Sequence, residues 1–443
     1  MKRTLAAAVA IAAVIPLCAR AENLLQVYRD ARAYDAQYAA ARYALQAGRE
    51  KLPQGKALLL PTIGLTANAT ENRIESDSKS PTLSPSFSRN YSSNGYALNL
   101  SQPIYRKQNF IQYDEAGYQV KQAEASFGQA AQDLIVRTAQ AYFDMLAAQD
   151  NLELVGAQKA AIAEQLAQAK RNFEVGTATI TDTREAQARY DLVIAQEIAA
   201  KNDLETKRRA LQQITGKEYA ALQPLRPNVT LSPPNPNDMQ DWVKIAEKQS
   251  YSVQAQEAIS EIAKLEAQRA SAGHYPTLDV VANYGQTDQT ASQFSPYGSK
   301  LTNSSIGLQL ALPLYQGGAI SSREREAAAN YEKARQDLAN ARRAAALAVR
   351  QAYLGVINGI AQVGALEQAL VSSKSALESN KLGYEVGVRI NIDVLNAQQQ
   401  LFSTRRDLAA ARYNTITTQL KLKAAAGSLR EQDLDAVNLA LVP

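Results

Sequence analysis

Residues 171–187 read RNFEVGTATITDTREAQ, and residues 382–398 read LGYEVGVRINIDVLNAQ. Each stretch contains Glu-Val-Gly, then an Asp six residues after the Gly, then Ala-Gln, and the two stretches are 211 residues apart. Glycine adopts backbone angles that other residues resist, so Gly176 and Gly387 each predict a break between two helices. The repeated phrase therefore predicts the same helix–turn–helix at two places in the chain.

Other stretches recur with nearly the same spacing. LPTI at 60–63 returns as YPTL at 275–278, and LSQPIY at 100–105 returns as LALPLY at 310–315. A cluster of prolines within 217–241 rules out regular helix between the copies. The predicted organisation is two tandem structural repeats. We expect a first repeat over 22–216, a Pro-rich linker over 217–239, a second repeat over 240–427 and a C-terminal tail over 428–443.

The N-terminus has the pattern of a secretory signal. A basic start is followed by a mostly apolar run from Leu5 to Leu17 and by the small-x-small triplet Ala19–Ala21. We therefore assign residues 1–21 to a signal peptide. A lipoprotein signal that uses Cys18 is the alternative, but Leu17 is bulkier than the residue that usually precedes a lipidated Cys. Cleavage would lower the net charge from +5 to +2, which gives no case for nucleic-acid binding.

Each repeat is predicted to contain a short helix and a strand pair before its long helices. Period-two alternation of apolar residues predicts strand pairs at about 62–104 and 277–314. Ser-, Asn- and Pro-rich loops are expected inside these pairs, at about 71–93 and 285–303. The chain should therefore contain four strands.

Long helices are predicted after each strand pair, at about 105–216 and 315–427, because no proline interrupts either stretch. An unbroken helix of 70 residues, from 105 to 174, would extend roughly 100 Å at 1.5 Å per residue. The apolar stripes are weak and the remaining faces are polar, so these helices cannot be buried all round. We expect them to border water on one side.

Four strands of about ten residues have the length to cross a bilayer as a tilted β-barrel. They cannot close a barrel alone, and an open edge in lipid leaves backbone groups unsatisfied. Two protomers would supply about eight strands and three about twelve, and the larger number leaves a lumen. A soluble sheet or hairpin is the other outcome, although the sequence offers no soluble core on which it could pack.

Two stretches carry a family resemblance: RNFEVGTATITDTREAQARYDLVIAQ at 171–196, and the chain from KLGYEVGVRINIDVLNAQQQLF at 381–402 onward. Both resemble the TolC-like outer-membrane exit ducts, the outer-membrane factor family. The resemblance implies an α+β membrane protein that forms a homotrimer. Four strands per protomer would build a 12-stranded β-barrel in the outer membrane. A long α-helical barrel would continue it into the periplasm, with a mixed equatorial domain that holds the linker.

The resemblance also implies a function. Such ducts export proteins by type I secretion or small toxic compounds by drug efflux, and they open by an iris-like movement of the periplasmic helix tips. The implied partners are a periplasmic membrane-fusion adaptor, an inner-membrane ABC or RND transporter and outer-membrane lipid. No enzyme activity, cofactor or metal is expected. The alternative is a periplasmic coiled-coil scaffold or adaptor without a pore.

The repeated phrase would form the periplasmic tips of this fold. Gly176 and Gly387 would make the turns, and Val175 and Val386 beside them would contact the adaptor. Both Asp182 and Asp393 have an ordinary alternative as helix N-caps. Asp182 with Glu185 even has capping-box spacing.

The resemblance gives the carboxylates and their neighbours further roles. Asp393 matches a carboxylate that lines the periplasmic aperture, where a ring of such groups would attract cations. Asn396 stands where the family has a second aperture carboxylate, so this mouth should be less negative. Tyr384 and Arg389 match gate-closing residues whose polar links reach Asp182 and Thr181. Read without the resemblance, Tyr384 would be a packing residue and Arg389 a solvated charge.

Overall fold

The computed structural model describes residues 21–77, 79, 86–227, 229–292 and 295–442. Residues 1–20 of the predicted signal peptide lie outside the described residues. The helices are α1 (Leu24–Tyr34), α2 (Ala36–Arg49), α3 (Lys51–Ala57), α4 (Lys107–Glu174), α5 (Ile180–Thr215), α6 (Met239–Gln249), α7 (Tyr251–Ser271), α8 (Ala319–Glu385), α9 (Asn391–Ala425) and α10 (Gln432–Leu439). The strands are β1 (Thr62–Ser76), β2 (Phe87–Tyr105), β3 (Thr277–Gln289) and β4 (Ser299–Ala311).

The contacts divide the chain into two compact units. Counting only the described residues, one unit lies within Met1–Ala40, Gln129–Ser250 and Ala345–Pro443, and the other lies within Ala41–Gly128 and Tyr251–Ala344. All four strands belong to the second unit. The two turns that carry the repeated phrase belong to the first.

The strands form one antiparallel sheet in the order β1-β2-β3-β4. The central pairing of β2 with β3 places Leu98 opposite Tyr284. Within the described part of the chain, β1 and β4 each pair on one side only. The prediction of four strands is confirmed, and the sheet has two open edges.

The strands are longer than the sequence predicted. β1 continues to Ser76 and β2 begins at Phe87, so much of the expected loop at 71–93 is paired. The prediction of loops was wrong in extent because Ser and Asn are typical of loops, whereas here their backbone groups complete the ladder. Polar side chains add to it, as where Ser92 N–H donates to Thr290 Oγ1 at 3.0 Å.

One face of the sheet is apolar and exposed. Cross-strand pairs align its side chains in rows, with Ile63 opposite Leu100 and Ala282 opposite Ile306. Ile306 is 81% exposed. The described residues leave this apolar face exposed, and such a face is stabilised by an apolar environment from outside.

The long helices follow the predicted pattern of Pro-free, Ala- and Gln-rich sequence. α4 has 68 residues and α8 has 67, so each extends roughly 100 Å. By length and composition alone, α8 contains one 18-residue window apolar enough to cross a membrane, with a mean hydropathy of 1.3 and 11% of the window buried. One such window does not define a membrane span, because helices that pack on other helices also contain them.

The core of the first unit ties the linker to the chain ends. Tyr142 is fully buried, and its hydroxyl donates to the carbonyls of Glu22 at 3.2 Å and Gln223 at 2.9 Å. Leu225 forms an antiparallel bridge with Leu441. The linker residues around Gln223 and Leu225 therefore pack as part of this unit.

An ion pair connects α1 and α2 to α4 in the same unit. Asp35 lies between α1 and α2, is 5% exposed and accepts from Tyr38 N–H at 2.7 Å. The Arg137 guanidinium donates to both of its oxygens, at 3.0 and 3.1 Å. Burial acts to raise the pKa of Asp35, but these hydrogen bonds outweigh it and lower the pKa below 3.8.

Candidate functional site

The two turns of the repeated phrase have the same backbone construction. Gly176 and Gly387 have φ of +77° and +80°, the left-handed region that favours glycine. In the first turn the Asn172 carbonyl accepts from the N–H of Thr177 at 2.8 Å. In the second, the Gly383 carbonyl accepts from the N–H of Val388 at 2.9 Å. Each turn satisfies the last carbonyls of one long helix and reverses the chain into the next.

The helix starts that follow the turns differ. Thr179, not Asp182, is the N-cap of α5, and Asp182 is the third helical residue. The Asp182 carboxylate accepts from Thr179 N–H at 2.9 Å and from Thr179 Oγ1 at 2.8 Å. The N-cap alternative for Asp182 is therefore corrected: it is the far partner of a capping box, because the extended residue at the cap position is the threonine.

In the second copy the cap position is Ile390, whose side chain offers no acceptor. Asp393, again the third helical residue, is not an N-cap either. Its carboxylate, one-third exposed, lies 3.6 Å from Arg389 in an ion pair. The two matched carboxylates thus have different partners, and only that of Asp182 is used in a cap.

Tyr384 and Arg389 form a hydrogen bond and an ion pair with residues other than those predicted. The Tyr384 hydroxyl accepts from Asn172 Nδ2 at 3.2 Å, which joins the end of α8 to the end of α4. Among the described residues, no hydrogen bond or ion pair joins Tyr384 or Arg389 to Asp182 or Thr181. Those links remain a prediction.

Exposed apolar side chains flank the turn glycines. Val175 is 73% exposed and Val386 is 64% exposed. The same position in each copy therefore presents a valine to solvent.

The sequence reasoning missed Arg189, which binds the predicted aperture residue Asn396. Arg189 Nη2 donates to Asn396 Oδ1 at 2.9 Å, and Nη1 donates to Gln399 Oε1 at 2.5 Å. The available signal was its spacing, because Arg189 lies seven residues after Asp182 and on the same face of α5.

A second polar connection lies further along the hairpin of α4 and α5. Glu197 accepts from Lys159 at 2.6 Å and pairs with Lys201 at 2.6 Å. Hydrogen bonds from these two ammonium groups lower the pKa of Glu197 to about 2. The two helices are thus bridged by a carboxylate that stays ionised throughout the physiological range.

Asn391, the first residue of α9, was also missed. It is 1% exposed, and among the described residues neither Oδ1 nor Nδ2 has a hydrogen-bond partner. No group of three or more His, Cys, Asp or Glu in the described ranges could hold a metal ion. The chemistry at these turns is that of polar contacts between helices.

Comparison with known families places this geometry in context. The model of the family described as outer membrane efflux protein matches residues 27–217 and again 242–428. This chain belongs to the outer membrane efflux protein family. The family consists of transport ducts of the outer membrane, so the chain is an outer-membrane exit duct.

Relatives of this efflux protein span nearly its full length. It is 36% identical over 426 residues to the outer membrane protein TolC of Vibrio cholerae, covering 95% of this chain and 94% of that one. It is 32% identical to the alkaline protease secretion protein AprF of Pseudomonas aeruginosa, covering 94% of this chain and 86% of that one. The CmeC outer membrane channel of Campylobacter jejuni has the same fold, with a TM-score of 0.79, 18% identity and coverage of 95% and 90%. The α+β fold predicted for this efflux protein is confirmed.

Proposed function

We propose that this exit duct works as a homotrimer, with a 12-stranded barrel closed by pairing β1 of one protomer with β4 of the next. The observation that carries the proposal is the sheet with two open edges and an exposed apolar face. In lipid, each unpaired backbone group of an open edge costs several kcal/mol. Three copies of four strands remove both edges and leave a lumen.

The duct would receive its cargo from an inner-membrane ABC or RND transporter through a periplasmic adaptor. Protein secretion is supported by the name of AprF, a protease secretion protein, and efflux is supported by the description of the family as outer membrane efflux protein. The exposed Val175 and Val386 would contact the adaptor. The separate matches to 27–217 and 242–428 support two tandem repeats, which we propose at 22–216 and 240–427.

The periplasmic end would be gated at the turns of the repeated phrase. A ring of three Asp393 carboxylates would line the aperture. Tyr384 and Arg389 would hold the tip closed, since Tyr384 already connects α8 to α4 through Asn172 and Arg389 carries the charge that faces Asp393. Opening would separate these groups and let the inner hairpin move outward.

Single-channel conductance in a planar bilayer tests the duct and the gate together. The wild type should give small, cation-selective openings, and the double variant Tyr384→Phe, Arg389→Ser should give larger ones. A matched control, Tyr331→Phe with Arg343→Ser, makes the same chemical changes on α8 far from the turn and should leave the conductance unchanged. Equal conductance in all three proteins would keep the duct and refute the gate. Correctly assembled trimers that give no pore would favour the scaffold function.

A further inference from the structure

We propose that Arg189 is a selectivity-determining residue of the duct, which places an uncompensated positive charge at the periplasmic mouth and there weakens the cation selectivity set by Asp393. This inference rests on the proposed trimer and on its aperture at Asp393. Two hydrogen bonds from Arg189 join α5 to α9.

Arg189 of α5 makes two side-chain hydrogen bonds to α9. Its guanidinium donates to Asn396 Oδ1 at 2.9 Å and to Gln399 Oε1 at 2.5 Å. The two acceptors are three residues apart and therefore lie on one face of α9. Arg189 has only donors, so the amide oxygens must face it, and their planar arrangement fixes the guanidinium.

Arg189 differs in its partners from several arginines near it. Three arginines of α9 and its approach are paired with carboxylates: Arg389 with Asp393, Arg406 with Asp407, and Arg412 with Glu367. A fourth, Arg405, lies over the ring of Phe402. In the described ranges no carboxylate oxygen lies within 4.0 Å of Arg189, and its hydrogen-bonded partners are neutral amides. The guanidinium is always protonated and here keeps its full charge.

The Arg189 contact lies close in sequence to the proposed aperture residue Asp393. Asn396 lies three residues after Asp393, so both project from the same side of α9 within one turn. If Asp393 lines the aperture, the Arg189 guanidinium on Asn396 lies one turn away from it. Asp393 lies 3.6 Å from Arg389, whereas Arg189 has no carboxylate partner among the described residues. The trimer would then carry three fixed positive charges one turn away from its three Asp393 carboxylates. Because a ring of charged side chains disfavours ions of its own sign, the Arg189 ring would weaken the cation selectivity of the mouth.

The side chain at 396 decides what Arg189 contributes. An aspartate there would neutralise the guanidinium in a two-oxygen ion pair, while the asparagine orients it and leaves its charge in place. Asn396 therefore holds the Arg189 guanidinium against α9, and the positive charge of this α5 residue lies beside that helix.

Reversal potentials in a KCl gradient test the inference on reconstituted full-length trimers. Arg189→Gln removes one positive charge per subunit and Asn396→Asp adds one negative charge, so each lowers the net charge of the subunit by one. A unit charge seen from about 4 Å through water changes the occupancy of K⁺ and of Cl⁻ about fivefold in opposite directions, so each variant should raise the K⁺/Cl⁻ permeability ratio by about 25-fold. The double variant should raise it further. Arg209→Gln makes the same charge change at the other end of α5 and should leave the ratio as in the wild type.

A purely mechanical tie between helices gives a different pattern. Arg189→Gln would then loosen the mouth and raise the conductance, and Asn396→Asp would tighten it, with no common shift in selectivity. That pattern, or an unchanged permeability ratio in both single variants of a conducting pore, overturns the inference and leaves the duct intact. A wild-type trimer that conducts no ions overturns the proposed function itself.

Discussion

Replacing Asn391 with leucine tests how the start of α9 is packed. Asn391 is 1% exposed, and among the described residues both of its side-chain polar atoms are without partners. The residue 211 positions earlier, Ile180, is 49% exposed. The polar Asn391 is thus buried in the second copy, whereas the apolar Ile180 is exposed at the matching position of the first.

The expected magnitude follows from the unmade hydrogen bonds. Leaving a buried polar group unsatisfied costs about 1–3 kcal/mol, and leucine has nearly the shape of asparagine without the polar atoms. Asn391→Leu should therefore stabilise the folded first turn of α9 against local unfolding by about 1–3 kcal/mol. A neighbouring protomer could not supply the missing hydrogen-bond partners, because the Asn391 side chain is already buried within its own chain.

Hydrogen exchange measures this local change without requiring reversible unfolding of the whole protein. Backbone amides of peptides covering 385–400 should exchange about 5- to 150-fold more slowly in Asn391→Leu than in the wild type. Asn414→Leu replaces an exposed asparagine on the same helix and should leave those rates unchanged. Unchanged or faster exchange in Asn391→Leu would refute the reasoning, since it would mean that the buried amide is satisfied or useful where it lies.

Two further predictions concern stability. Asp35→Asn keeps an acceptor for Tyr38 but loses the ion pair with Arg137, and should destabilise the protein by about 1–3 kcal/mol at pH 7. Because the folded pKa of Asp35 is lowered, its contribution is present above 3.8 and lost as the pH falls through the folded value, so the difference in thermal midpoint should shrink below pH 4. Gly387→Ala should cost about 1–2 kcal/mol through its positive φ alone. Gly427→Ala should lower the midpoint far more, since its Cβ would lie 2.1 Å from the Gln249 carbonyl oxygen; equal midpoints would contradict this.

The sequence was sufficient for features that depend on local periodicity. Alternation around Ile306 identified a strand, and the absence of proline identified the long helices. Both signals are set by backbone geometry, which repeats every two residues in a strand and every 3.6 in a helix. Gly387 likewise marked a turn because its φ requires glycine.

The details of the candidate site could not be obtained in this way. Asp182 was a reasonable N-cap by residue type, but Thr179 also suits that position and holds it in the structure. The burial of Asn391 and the contact of Arg189 with Asn396 depend on which faces of α5 and α9 meet. Sequence periodicity indicates that a helix has a packed face, and weak stripes of small residues leave its partner undetermined.

The open edges of the sheet have a genetic consequence. In a barrel closed by edge pairing, each protomer needs β4 of one neighbour and β1 of the other, so a single defective edge strand disables a ring that also contains sound copies. An allele that places proline inside β4, where the ladder requires an N–H, should therefore be dominant over the normal allele when both are expressed in one cell. Alleles that prevent export or early folding, and so keep the chain out of mixed rings, should be recessive.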